Sequence, residues 1–224
     1  MIKPTSIFLA GASRGVGREI ARLLRAQDIA VTALLRSESD RTLLDALGIT
    51  VMLADAMDAE GVTQALLADP PPTLVISTIG GTPVQGVRPD YIGNRNLIDA
   101  ALQAKALQFI LVSSIGTGDS QGAIPPRALE ALGPVLAEKA KAEAYLKASG
   151  LTYTIIRPGG LSSEPATGRG VLTTDPRISG TIHRADVAQL VCQCIGAEPA
   201  YNQVFAAVDR ELLHSQIPFT PVQL

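Results

Sequence analysis

The sequence predicts an α/β fold: a doubly wound, mostly parallel sheet with helices on both faces, in three αβα layers. Three observations carry this. Short apolar runs alternate with stretches whose apolar residues recur every three or four positions, from residue 7 almost to the end. The runs are near-continuous rather than alternating, as in 29–35 (Ile-Ala-Val-Thr-Ala-Leu-Leu), which suits strands buried on both faces. A glycine cluster at Gly11, Gly15 and Gly17 joins the first run to the first helical stretch.

Taken in order, residues 7–10 form the first strand and 16–27 the first helix, with Val16, Ile20, Leu23 and Leu24 on one face. Residues 29–35 are the second strand. A short helix over 40–47 ends at Gly48, and 49–53 is the third strand. The helix over 59–68 stops before Pro70-Pro71-Pro72, and 74–77 is the fourth strand. Helix 90–104 precedes strand 109–112. A looser stretch, 116–134, leads into helix 136–149, with Gly150 placed to end it, and 151–156 is the sixth strand. Residues 157–180 hold three prolines and five glycines, too many for a long helix. Residues 183–195 are again helical and 202–207 a last strand. There is no internal repeat and no low-complexity segment. The whole chain, 1–224, reads as one domain, with pocket loops at about 115–135 and 158–182.

Composition narrows the function classes. A net charge of −2, with Lys and Arg scattered, argues against a nucleic-acid surface. No apolar run approaches the roughly 20 residues needed to span a bilayer. The first residues, Met1-Ile2-Lys3-Pro4-Thr5, lead straight into the first strand and leave no room for a signal peptide, so a cytoplasmic location is expected. Cys192 and Cys194 are the only cysteines, two apart on a helix and pointing to different faces, which reads as two buried small hydrophobes. With His183 and His214 as the only histidines, no metal site is expected. Nothing in the chain sets an oligomeric state beyond a monomer or weak dimer.

The positions just after each strand are where an open α/β sheet binds ligands. Every one is small, polar or charged. Strand, glycine turn, helix is a device for holding a phosphate, because the turn aims backbone N–H groups at an anion and the helix N-terminus adds about half a positive charge. In 11–17 (Gly11, Ala12, Ser13, Arg14, Gly15, Val16, Gly17), Gly11 permits the tight turn, Gly15 the close approach of a pyrophosphate, and Gly17 the packing of helix on strand. Gly11-Ala12-Ser13-Arg14-Gly15 also matches the G-x-S-x-G elbow of serine hydrolases. Position speaks against the elbow: almost nothing precedes Gly11 to supply an oxyanion donor, and His183 has no distinctive setting. Arg36 closes the second strand, 19 residues after Gly17, where an acid would bond the ribose hydroxyls of NAD. An arginine there offers bidentate donors to the 2′-phosphate of NADP, and Ser37 adds a hydroxyl. NADP(H) is therefore the favoured cofactor. Asp55, with Ala56 beside it, suits an adenine amino group or simply caps a helix. Thr78, Ile79 and Gly80, with Gly81 next, leave little bulk over the fourth strand.

The pattern as a whole resembles the short-chain dehydrogenase/reductase superfamily, and within it the atypical, NmrA-like and flavin-reductase-like branch. The residues that carry the resemblance are 11–17, Leu34-Leu35-Arg36, Asp55, Asn96-Leu97-Ile98-Asp99-Ala100-Ala101 and Val112-Ser113-Ser114. Residues 149–161 and Ile182-His183-Arg184-Ala185-Asp186-Val187-Ala188 complete the set. The resemblance implies a Rossmann-type fold. It also implies that Ser114, with Ser113 beside it, is the serine of the family's active site, and that Lys139 is its lysine, which binds the nicotinamide ribose. Pro158, Gly159, Gly160 and Leu161 would contact the nicotinamide carboxamide. Asp186 is expected to be a helix N-cap.

One departure matters. Four residues before Lys139, where the family's proton-donating tyrosine belongs, stands Val135. Tyr145 lies six residues after Lys139, roughly 240° round a helix, and cannot replace it. Reduction of a ketone needs a positioned acid, worth about 10²–10⁴-fold in rate. A flavin, quinone or conjugated tetrapyrrole can accept hydride and take its proton from water or a weak donor. The expectation is thus an NADPH-dependent oxidoreductase acting on a planar conjugated small-molecule acceptor, with Ser114 and Lys139 at the reaction centre. The alternative is a non-catalytic NADP(H)-binding redox sensor or assembly factor. Arg127, Arg169 and Arg177 on the expected pocket loops hint at an acidic substrate. Lys139 pairing with Glu143 is the competing role for that lysine.

Overall fold

The computed structural model describes residues 6–68, 70–81, 86–214 and 216–224. In chain order the elements are β1 (Ser6–Ala10), α1 (Gly15–Ala26), β2 (Ala30–Leu35), α2 (Arg41–Asp45), β3 (Thr50–Leu53), α3 (Ala59–Leu66), β4 (Leu74–Ser77) and α4 (Pro89–Gln103). Then follow β5 (Gln108–Val112), α5 (Pro126–Ala148), β6 (Tyr153–Pro158), β7 (Gly160–Ser162), β8 (Gly170–Thr173), β9 (Thr181–His183), α6 (Arg184–Gln193) and β10 (Gln203–Asp209).

Eight strands form one sheet in the order β3-β2-β1-β4-β5-β6-β10-β8. All neighbours pair in parallel except β8, which runs antiparallel to β10. This is a Rossmann-type, doubly wound α/β fold, as expected. The chain winds outward one way from β1 through β2 and β3 and the other way from β4 onward, so the order reverses between β1 and β4. A crevice opens at such a reversal beyond the C-terminal strand ends, because the connecting helices diverge to opposite faces.

Alternation along the strands builds two apolar layers. On one face Ile7, Leu9, Val31, Ile76 and Ile110 meet Val16, Ile20 and Leu24 of α1 and Val187 and Val191 of α6. On the other face Phe8, Val75, Phe109 and Ile155 meet Val62 and Leu66 of α3, Leu97 and Ala101 of α4, and Ala142 and Leu146 of α5. The three αβα layers follow from this. No helix among the described residues is long and apolar enough to cross a membrane.

Three elements differ from the sequence reading. Helix α5 starts at Pro126, so most of the stretch read as a loop over 116–134 is helical, with Pro134 inside the helix. A proline at the start of the helix costs nothing, since its missing N–H falls among donors that lack partners anyway. Pro134 removes one hydrogen bond, but it and Glu130, whose carbonyl loses its donor, are both exposed to water. The irregular stretch 157–180 contains β7 and β8. Strands β7 and β9 pair in a small separate parallel sheet. Asp186 does not cap α6; His183 holds that position. The Asp186 carboxylate instead accepts from the backbone N–H of Thr167 (2.9 Å) and Gly168 (2.8 Å), pinning the loop after β7.

Candidate functional site

Between β1 and α1 the backbone takes the conformations that glycine tolerates: φ is +92° at Gly11 and +57° at Gly15. A Cβ on Gly17 would collide with the Gly11 carbonyl oxygen and with Thr78 Oγ1, which lies 2.6 Å from that position. Thr78 Oγ1 itself donates to the carbonyls of Ala10 (3.1 Å) or Gly11 (3.2 Å), tying the end of β4 to the turn. Helix α1 then begins with no side-chain cap and no acid in its first turn. By contrast α3 is capped by Asp58, which accepts from Glu60 N. The α1 N-terminus therefore presents donors and a positive dipole end to whatever lies above it.

Above it is an open cleft of about 1030 Å³ at the carboxyl ends of the strands. Most of the residues named from sequence line it. Gly11, Ser13, Arg14, Gly15, Val16 and Gly17 form its floor at the turn, and Arg36 and Ser37 lie at the end of β2. Asp55 and Ala56 follow β3, Thr78, Ile79 and Gly80 follow β4, and Ser113 and Ser114 follow β5. Lys139 reaches in from α5 and Leu161 from β7. Ala12, Pro158, Gly159 and Gly160 are not part of the lining. Ala12 is wholly buried. Gly159 is needed for another reason: its Cβ would collide with the Gly180 carbonyl where the chain passes close.

Several partners were not legible in the sequence. Asp90, at the start of α4, is completely buried, and its Oδ1 lies 3.4 Å from Lys139 Nζ. Lys139 does not pair with Glu143. That glutamate is buried and accepts from Ser113 Oγ (2.6 Å), Arg157 Nε (3.0 Å) and Arg157 Nη2 (2.6 Å). Arg157 Nη1 also pairs with Asp119. Burial opposes the Arg157 charge, but the hydrogen bonds and negative charge of Glu143 and Asp119 outweigh it and hold its pKa above the usual range. The hydrogen bond from Arg157 in turn holds the Asp119 carboxyl below its ordinary range. Ser113 is thus fixed from behind. Ser114 Oγ bonds to the Ile115 carbonyl (2.9 Å) at the cleft wall.

Arg184, from the start of α6, closes the cleft beside Gly15. It bonds Ser163 Oγ (2.8 Å) and the Leu161 carbonyl (3.3 Å). The arginines read as a hint of an acidic substrate are placed otherwise. Arg169 pairs with Asp209 and Glu211, Arg177 with Asp175, and Arg127 is exposed on α5, so none lines the cleft. The loop over 116–134 also contributes nothing to the lining. Asp55 does not cap a helix, since its Oδ1 accepts from Met57 N (2.9 Å) in a local turn. Tyr145 donates to Asp99 (2.6 Å), and that hydrogen bond raises its pKa above the usual range, away from the cleft. His183 Nδ1 bonds the Pro165 carbonyl and His214 Nε2 the Thr181 hydroxyl, so neither serves Ser13 as a hydrolase base.

The observed features fit a dinucleotide. Glycine turn and uncapped helix leave room for a pyrophosphate, and Arg36 lines the cleft with no ion pair among the described residues. The NAD(P)H-binding family matches residues 11–198. Among solved structures, ChuY, an anaerobilin reductase from Escherichia coli O157:H7, shares 36% identity over 93% of this chain and 98% of that one, with a TM-score of 0.85. YhfK from Bacillus subtilis, described as an uncharacterized sugar epimerase, is 33% identical over 89% of this chain and 92% of its own length. Sanguinarine reductase from Eschscholzia californica is 37% identical over 52% of this chain and 43% of that protein.

Proposed function

Because the chain belongs to the NAD(P)H-binding family, we propose that it is an NADPH-dependent oxidoreductase that passes hydride to a planar, conjugated acceptor such as a flavin, quinone or tetrapyrrole-like molecule. One observation carries the choice of acceptor. Among the described residues lining the cleft there is no Tyr, His or Cys, and Val135 occupies the place of the family's tyrosine. An acceptor that delocalises the incoming electron pair over a ring system does not need a positioned acid of that kind. The names of two relatives, an anaerobilin reductase and a sanguinarine reductase, support the reductase reading.

When bound, NADPH supplies the hydride. The residues of this chain do the rest. The N–H groups of Gly15, Val16 and Gly17 at the start of α1 hold the pyrophosphate, and Arg36 and Ser37 hold the 2′-phosphate. Asp55 and Ala56 flank the adenine, and Thr78, Ile79 and Gly80 leave a flat path over β4. Lys139 binds the nicotinamide ribose, and Leu161 packs at the nicotinamide end. Ser114 polarises the acceptor or orients the water that delivers the proton, while Ser113 is held by Glu143.

Purified protein mixed with NADPH and FMN, FAD or a series of quinones tests this directly. Oxidation above background that falls on Ser114→Ala and Lys139→Ala, with the fold intact, is the expected result. The absence of tyrosine also suits a second reading, an NADP(H)-binding redox sensor or assembly factor. That reading predicts different affinities for NADP⁺ and NADPH and no turnover with any acceptor.

A further inference from the structure

The segment that leaves β7 and passes the phosphate-binding turn is fastened unevenly. Its far end is held by buried carboxylates: Asp186 accepts from Thr167 N (2.9 Å) and Gly168 N (2.8 Å), and Asp209 from Thr167 Oγ1 (2.8 Å). Midway, His183 Nδ1 donates to the Pro165 carbonyl (2.7 Å). The near end is different. β7 stops at Ser162, and Ser163 and Glu164 beyond it line the cleft. Among the described residues, Arg184 alone reaches across to them, its Nη1 donating to Ser163 Oγ (2.8 Å) and to the Leu161 carbonyl (3.3 Å).

Arg184 also faces the turn. Its Nε and Cδ lie 3.7 and 3.8 Å from the place a Cβ on Gly15 would take, so its side chain packs on the first residue of α1. Among the described residues, Nε and Nη2 donate to nothing and no carboxylate pairs with Arg184. Helix α1 offers no acid in its first turn either. A cation set against the positive end of a helix is unfavourable until an anion stands beside both. The planar guanidinium can serve two partners at once, with Nη1 keeping the wall while the Nε–Nη2 edge meets a phosphate as a fork.

We propose that Arg184 is a positioning residue that couples the dinucleotide to the acceptor. The diphosphate takes the Nε–Nη2 edge, and Nη1, now held in place, fixes the wall at Ser163 and Glu164 on which the acceptor rests. Given NADP(H) in the cleft, the reading on which this depends, the dinucleotide binds first and completes the acceptor's wall. Such a link is reciprocal, so an acceptor resting on that wall tightens the dinucleotide by the same factor.

Hydrogen–deuterium exchange of the full chain tests this without reference to turnover, in peptides covering 162–166 and 11–18. Three probes are used at saturation: NADP⁺; 2′-phospho-ADP-ribose, which has the diphosphate but no nicotinamide; and 2′-AMP, which has no diphosphate. In the wild type, NADP⁺ and 2′-phospho-ADP-ribose should each slow exchange over 162–166 by about 5-fold or more, and 2′-AMP should leave it unchanged. Arg184→Gln should abolish that response while NADP⁺ still protects 11–18. Arg184→Lys, which keeps the charge without the fork, should not restore it. A purely structural arginine would instead raise exchange over 162–166 equally with and without ligand, and that result overturns the proposal. So does a response that needs the nicotinamide, one that survives Arg184→Gln, or full restoration by lysine. Protection of 11–18 with none at the wall refutes the coupling alone, whereas no protection of 11–18 by NADP⁺ refutes the dinucleotide reading and the coupling with it.

Discussion

At Gly17 the packing leaves no room for a methyl group, because the Gly11 carbonyl oxygen and the Thr78 hydroxyl close on the space a Cβ would need. Gly17→Ala must push the helix away from the strand. We expect a loss of about 3 kcal/mol, at the upper end of overpacking effects, and a thermal midpoint lower by roughly 6–12 °C. Unchanged stability would mean that helix and turn separate more freely than the geometry implies. Arg36 is exposed, so its proposed role is on the ligand and not on the fold. Arg36→Asp should weaken NADPH by roughly 10- to 100-fold, the range for hydrogen bonds between charged groups, while sparing NADH. Equal losses for both would refute the 2′-phosphate assignment. Cys192 and Cys194 were readable as packing residues, and burial pushes both thiols up to about 12 from 9.0. The thiol form is favoured in the folded protein, so the stabilisation is fully present below pH 9 and is lost as pH rises from 9 towards 12. In chemical denaturation, the midpoint of a Cys192→Ala/Cys194→Ala variant should fall less over that range than the wild type's.

At the scale of elements, α5 holds together what β5 and β6 place at their ends. Glu143 on α5 takes Arg157 from β6 and Ser113 from the end of β5 in one buried cluster. Glu143→Ala leaves the Arg157 charge buried with only Asp119 on the exposed side. A cost of about 3–5 kcal/mol follows, and a midpoint lower by roughly 6–20 °C. Replacing both Glu143 and Arg157 by Leu should recover much of that loss, since no unpaired charge then remains. If the double variant is no better than Glu143→Ala, the cluster's value lies in positioning rather than in charge compensation. This cluster was invisible in sequence. Glu143 stands one turn after Lys139 and reads as its partner, because helical spacing shows which residues share a face but not what another element brings to it. The first turns of α5 were missed for a related reason. Pro125, Pro126 and Pro134 each read as a breaker, yet two of them fall at a helix start and the third on the wet face. Strands β7, β8 and β9 are only three or four residues long, too short for any period to emerge.

At the scale of the whole molecule, the parallel sheet and its helices were legible because the central strands β1, β4 and β5 are buried on both faces and the helices pack apolar residues against them. Those patterns survive in the bare sequence. The site was legible where it depends on backbone, as at Gly11 and Gly17, and where one residue closes a strand, as at Arg36. It was not legible where two distant elements meet: Asp90 from the start of α4 beside Lys139 of α5, or Arg184 of α6 reaching over Gly15. The reversal of strand order between β1 and β4 gathers these residues at one crevice. Val135 already marked the missing tyrosine in the sequence, and no tyrosine lines the crevice among the described residues; that absence bears the functional reading. The most direct test is the rate at which purified protein oxidises NADPH with FMN, FAD or quinones, followed by the loss of near-ultraviolet absorbance. The predicted result is saturable turnover with at least one of these acceptors, abolished by Ser114→Ala or Lys139→Ala and absent with simple ketones. Tight NADPH binding without oxidation by any of them would contradict it.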